Sequence, residues 1–116
     1  KILLDAPCSG SGTLNLKRKV KISEALIENN VVLQKKLLIK ALKLLKKGGT
    51  LVYSTCSVLP CENEKVIEFA LERGQAELVP LQPFASLPCI CGKERMICVR
   101  PNELFEGFFV AKLKKL

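Results

Sequence analysis

The chain contains no histidine, so a cysteine–histidine nucleophile pair of the protease kind cannot be assembled from its own residues. The same absence weakens a zinc reading, because two thiols with neither a histidine nor a C-x-x-C pair make a poor tetrahedral set. The lack of any C-x-x-C also removes the usual dithiol redox motif. No apolar run is long enough to span a membrane, and there is no basic, apolar, small-residue leader of the secretory kind. A soluble, cytoplasmic protein is therefore expected. There is no internal repeat or low-complexity segment, and no stretch marks an obligate protein partner.

What is present is one domain's worth of chain. At 116 residues, 48% of them hydrophobic, the sequence should bury a single core. Nineteen Lys and Arg against eleven Asp and Glu give a net charge of +8, which favours encounter with a polyanion; nucleic acid is the first partner to consider. Six cysteines, without a leader and with an ordinary core, read as reduced thiols.

Along the chain, "KILL" (1–4) reads as a buried strand and 5–12, with Pro7, Gly10 and Gly12, as a loop. "NLKRKVK" (15–21) is basic and irregular. Ser23 can cap a long helix in which Ile27, Val31, Gln34, Leu38, Ala41 and Leu45 recur at helical spacing, with Gly48 and Gly49 ending it. Lys35, Lys36, Lys40, Lys43, Lys46 and Lys47 lie largely off that stripe and read as a solvated face. "TLVYS" (50–54) is a second buried strand, 55–61 a loop, and "ENEKVIEFALERG" (62–74) a second helix. Strands are expected near 77–81, at 95–99 and at 107–113, with loop at 82–94.

Strands alternating with helices imply an α/β fold with right-handed crossovers, a mostly parallel sheet and helices on both faces. Ligands of such sheets bind outside the carboxyl ends of the strands. The loops 5–12 and 55–61 leave two such ends, so adjacent strands about 4.8 Å apart would bring Cys8 and Cys56 within roughly 10 Å. An isolated Cys56 would read as a small buried residue. Two loop cysteines on a ligand-binding edge suit nucleophilic catalysis, one thiol attacking and the other assisting.

"DAPCSGSG", "LVYSTCSVLPCENE" and "FEGFFVAKL", in this order, together with "LQKKLLIKALKLLKKGG", resemble the later motifs of the Nop/Sun (RsmB-like) family of RNA (cytosine-5) methyltransferases across nearly the whole chain. The resemblance implies the C-terminal half of a Rossmann-like class I methyltransferase fold, with a closing antiparallel strand. It also implies 5-methylcytosine formation in ribosomal or transfer RNA with S-adenosylmethionine as methyl donor. By the same resemblance, Cys56 of "TCS" attacks cytosine carbon 6, Cys8 of "PC" assists product release, and Asp5 of "DAPC" lies beside both cofactor and base. Asp5 could act as a protonated partner of ring nitrogen 3 or as a carboxylate orienting the cofactor.

The family's glycine-rich cofactor turn and ribose-binding acids lie upstream of the "DAPC" strand and are not in this sequence. Residues 1–116 are thus expected to be a partial catalytic domain, binding cofactor weakly or not at all alone. A non-catalytic RNA-binding remnant is the competing reading. A DNA cytosine methyltransferase fits less well, since that class places its attacking thiol at "PC" and lacks the "TCS" cysteine.

The remaining polar residues have plainer expectations. Gln34, on an apolar stripe, needs a buried partner, and a structural bond is expected. Glu62, Asn63 and Glu64 match the family's "ENE", but capping and the helix dipole account for them. Cys61 reads as packing, and Phe108 and Phe109 as core on opposite sides of a strand. Cys89, Cys91 and Cys98 fall short of a ligand set, so no metal is expected. Lys17, Arg18, Lys19 and Lys21 could hold RNA phosphates near the Cys8 loop.

Overall fold

The computed structural model describes residues 1–13, 23–81, 96–101 and 106–116. In chain order the elements are β1 (Ile2–Asp5), α1 (Glu24–Leu44), β2 (Thr50–Thr55), α2 (Glu64–Leu71), β3 (Ala76–Val79), β4 (Met96–Val99) and β5 (Phe108–Lys115). Short 3-10 turns cover Ser11–Thr13 and Pro60–Glu62.

Helix α1 forms where its stripe and caps predict. Ser23 is the N-cap, its hydroxyl accepting from the Leu26 N–H at 3.1 Å. Gln34, Leu38, Ala41 and Leu42 are buried on one side. The chain turns beyond it through Gly48 at φ +75°, a left-handed conformation that glycine adopts without a Cβ clash. Helix α2 is shorter than the 62–74 reading. Its α-helical turns begin only at Glu64, because Pro60–Glu62 first closes a 3-10 turn.

The sheet runs β1-β2-β5-β3, with β4 also paired to β5. β1 and β2 are parallel, with Leu4 opposite Tyr53 and Asp5 opposite Ser54. β5 is antiparallel to β2, and β3 and β4 lie end to end along its other edge, Val79 pairing with Lys112 and Met96 with Ala111. The parallel character expected from the alternation is confined here to β1–β2, and β5 is the closing antiparallel strand.

Alternation along the strands sorts the two faces. Leu51 and Tyr53 of β2, and Phe109, Ala111 and Leu113 of β5, join Leu38 and Leu42 of α1 and Val66 and Ile67 of α2 in one core. α1 and α2 also touch each other, so both described helices cover the same face. The opposite face carries Leu3, 73% exposed, beside partly buried Val52, Val110, Ile97 and Val79, and no described helix lies over it. Phe108 turns to that open face and is exposed, whereas Phe109 is fully buried. Only one of the two phenylalanines is therefore core, because among the described residues the helices cover β5 on one side alone.

Candidate active site

Because β1 and β2 are parallel neighbours in register, the chain leaves both carboxyl ends side by side. The Ala6 N–H donates to the Ser54 carbonyl at 2.8 Å, carrying the ladder one residue past β1. The Gly12 N–H then donates to the Cys56 carbonyl at 2.9 Å, so the two loops are bonded to each other by backbone. Between these bonds the sulfurs of Cys8 and Cys56 sit 3.1 Å apart, both as free, half-buried thiols. The sequence-based estimate of roughly 10 Å was an upper bound set by strand spacing; the loops curl toward each other and close it.

Burial pushes the Cys56 thiol up to about 11 from an ordinary 9.0, reinforced by its hydrogen bond to Cys8, by the charge of Cys8 and by that of Asp5. A backbone hydrogen bond at Cys56 acts in the opposite direction. At neutral pH Cys56 is thus held as a thiol and not a thiolate. Asp5 is exposed at the end of β1 and accepts a hydrogen bond from Ser54 Oγ at 3.0 Å through Oδ1. Its other oxygen has no hydrogen-bond partner among the described residues, which leaves it free for a ligand.

Beneath the thiols lies a buried polar cluster that the sequence reading did not assign to the site. Glu62 is fully buried and is not a helix cap. Its Oε1 accepts from Ser9 Oγ at 2.5 Å and Ser57 Oγ at 2.7 Å, and its Oε2 from the Ser9 N–H at 2.8 Å and Gln34 Nε2 at 3.1 Å. Asn63 is the N-cap residue of α2, yet its side chain makes no capping bond. It accepts from Thr55 Oγ1 at 2.6 Å and donates to the Ser57 carbonyl at 2.8 Å. Gln34 finds its buried partners here: it donates to the Pro7 carbonyl at 2.8 Å as well as to Glu62. Tyr53 closes the floor, its hydroxyl donating to the Glu62 carbonyl at 2.8 Å, and burial, then the Glu62 charge, holds its phenol far above the usual range. The sequence signal for this cluster is the serine following each cysteine, Ser9 and Ser57, a pair of donors awaiting one acceptor.

Glycine is required where the loops meet β5. A Cβ on Gly12 would lie 2.2 Å from the Gly107 carbonyl oxygen and 2.7 Å from that of Cys56, and a Cβ on Gly107 would lie 2.7 Å from the Gly12 Cα. The Gly107 N–H donates to the Gly12 carbonyl at 2.7 Å across this contact. Of the other singled-out residues, Cys61 is half-buried and Cys98 buried in the core. Cys89, Cys91, Lys17, Arg18, Lys19 and Lys21 lie outside the described residues. No cluster of three or more metal-ligating side chains occurs among the described residues.

Similar sequences match this chain over nearly its full extent. The chain is 39% identical to a 26S rRNA (cytosine-C(5))-methyltransferase, nsun-1, of Caenorhabditis elegans, matching all of this chain and 20% of that protein. It is 39% identical to a tRNA (cytosine(49)-C(5))-methyltransferase of Pyrococcus abyssi, over 99% of this chain and 41% of the relative. The crystal structure of NSun6 from Pyrococcus horikoshii with SFG superposes on 97% of this chain and 29% of its own, with a TM-score of 0.82 at 36% identity. The chain thus spans between a fifth and about two-fifths of the length of the curated relatives named here. A family model described as 16S rRNA methyltransferase RsmB/F matches residues 1–114, and the chain, with its paired loop cysteines, belongs to that family.

Proposed function

We propose that the protein carrying this chain is an S-adenosylmethionine-dependent RNA methyltransferase that forms 5-methylcytosine, with Cys56 as nucleophile. The observation that carries this reading is the 3.1 Å approach of Cys8 and Cys56 at the carboxyl ends of two adjacent parallel strands. The named relatives act on ribosomal or transfer RNA, so RNA is the substrate class we assign. A groove lined by Lys35, Lys36, Lys40, Lys43 and Arg73 adds positive charge that favours encounter with it. A reducing, cytoplasmic setting suits two free thiols at this distance.

In this mechanism the Cys56 thiol loses its proton to solvent and its Sγ forms a bond to cytosine carbon 6 as the carbon 5–carbon 6 double bond opens, which makes carbon 5 electron-rich. Asp5, whose charge is felt at Cys56, is the acid beside this site. S-adenosylmethionine, when bound, supplies the methyl group, and the relative's complex with SFG, an analogue of it, supports that cofactor. Asp5, with one carboxylate oxygen free, is the described residue that fits contact with it. Once carbon 5 carries the methyl group, its proton passes to solvent, the carbon–hydrogen electron pair restores the carbon 5–carbon 6 double bond, and the Cys56–carbon 6 bond breaks with its electron pair returning to sulfur. The 3.1 Å contact of Cys8 with that sulfur supports a part for Cys8 in this release.

The test is methyl transfer from labelled cofactor to total RNA by the full-length protein, followed by nucleoside analysis, beside Cys56→Ala. Labelled 5-methylcytosine that disappears in the variant is expected. RNA binding without methylation would identify a non-catalytic RNA-binding protein instead, and turnover retained by Cys56→Ala would remove the nucleophile assignment.

A further inference from the structure

The Glu62 carboxylate makes no hydrogen bond to either thiol among the described residues, yet it is bonded to the residue that follows each of them: Ser9 after Cys8, and Ser57 after Cys56. A third bonding partner, Gln34, belongs to α1 and also holds the Pro7 carbonyl immediately before Cys8. One buried group therefore joins both cysteine loops to the helix layer. We infer that Glu62 is a positioning residue, a buried tether that sets the separation of Cys8 and Cys56.

Three physical arguments support a dedicated role. Burying a carboxylate is costly unless its charge is compensated, and here four hydrogen-bond donors do so, with no Lys or Arg among its hydrogen-bonding partners. Each oxygen accepts two bonds, so the acceptor capacity of a planar, two-oxygen group is matched to donors from three separate segments. Helix capping would be served by an exposed Ser or Asp at lower cost, and α2 takes no side-chain cap from Asn63. Loop thiols held by nothing but their own backbones would sample a range of separations. A thiol that must assist its neighbour's departure needs one separation, since about 1 Å of misplacement can cost on the order of a hundredfold in rate.

The consequence for turnover rests on the assignment of Cys56 as nucleophile, but the separation itself can be read without any methylation. In the full-length protein, equilibration with glutathione disulfide and glutathione converts the two thiols to a disulfide. The two thiols lose two electrons and two protons, and one glutathione disulfide becomes two glutathione thiols. The equilibrium constant for the Cys8–Cys56 cross-linked peptide, quantified by mass spectrometry, is an effective concentration of one thiol at the other. Glu62→Ala removes all four bonds and is expected to lower that constant about tenfold or more. Glu62→Gln keeps an oxygen for the Ser9 N–H and Gln34, while the two serine hydroxyls can turn to accept from its amide, so it is expected to stay within about threefold of the parent.

In methylation assays the tether predicts a kcat lowered roughly 10- to 100-fold in Glu62→Ala, an RNA KM within about twofold, and substantial rescue by Glu62→Gln. A thiol effective concentration in Glu62→Ala within twofold of the parent overturns the inference, and so does an equal loss in both variants. If Glu62→Ala does not fold, Ser57→Ala, which cuts the tether on the Cys56 side alone, is held to the same thiol readout. A lowered thiol readout with unchanged methylation leaves the tether standing and counts against the two-cysteine mechanism.

Discussion

Gly12→Ala is the substitution for which the structure sets the most definite cost. The added methyl group would sit 2.2 Å from one backbone oxygen and 2.7 Å from another, more than an ångström inside ordinary contact in the first case. Backbone atoms cannot rotate away as the end of a side chain can. The loop must move, and in moving it loses or stretches two hydrogen bonds, Gly12 N–H to Cys56 and Gly107 N–H to Gly12. Overpacking of this kind costs about 1–3 kcal/mol. Two backbone hydrogen bonds at about 1 kcal/mol each bring the total to roughly 3–5 kcal/mol. Denaturant unfolding of the full-length protein measures it, as a lower midpoint at unchanged slope. Gly48→Ala is the control: its φ of +75° is strained for alanine, at about 1–2 kcal/mol, but no atom lies within 4 Å of the new methyl and the site is untouched. Methylation should therefore fall sharply in Gly12→Ala and stay near the parent value in Gly48→Ala. If Gly12→Ala unfolds within about 0.5 kcal/mol of the parent and methylates RNA normally, the close packing of the cysteine loops against β5 is not what holds the site.

Cys8→Ala should leave attack intact but slow release, so that a covalent protein–RNA adduct accumulates and appears as a retarded band on denaturing gels; absence of the adduct would refute the division of labour between the thiols. The Cys56 thiolate should appear in iodoacetamide alkylation with a midpoint at about pH 11. In Cys8→Ala that midpoint should fall but stay above 9.0, because burial, the largest cause of the shift, remains. Since the folded protein holds this proton more tightly than the unfolded chain, its contribution to stability is complete below pH 9 and is lost as pH rises through about 11, which urea titrations across that range can follow. Tyr53→Phe deletes the buried bond to the Glu62 carbonyl and should cost about 1–3 kcal/mol by the same method, while its ring keeps its edge-to-face contact with Phe109.

The parts of this molecule that local chemistry dictates were legible in its sequence. α1 follows from a 3.6-residue stripe between Ser23 and Gly48, and both cysteine loops follow from small and cyclic residues that break strands. Their convergence followed from the rule that consecutive parallel strands end on one edge. Glu62 and Asn63 were misread because short polar residues before a helix look the same whether they cap it or turn inward. What decides is the presence of donors from residues 9, 34 and 57, and sequence distance conceals that. The mixed sheet was concealed for a similar reason. An apolar strand carries no mark of its partner's direction, so the sharing of one β5 edge by β3 and β4 is visible only in three dimensions. Phe108 shows the limit of alternation, which says that a side chain faces the second side of a sheet but not whether anything covers it.

That face, over which no described helix lies, bears on how the molecule can be handled. β1 has no strand partner on its outer edge among the described residues, and on the open face beside that edge stands Leu3, 73% exposed. Unpaired backbone groups next to bare apolar surface form a template for intermolecular strand pairing. Produced as a free 116-residue polypeptide, this sequence should therefore self-associate, with light scattering that grows with concentration. A Leu3→Lys substitution, which places charge on that face without touching either cysteine loop, is then the natural first step toward a monodisperse sample.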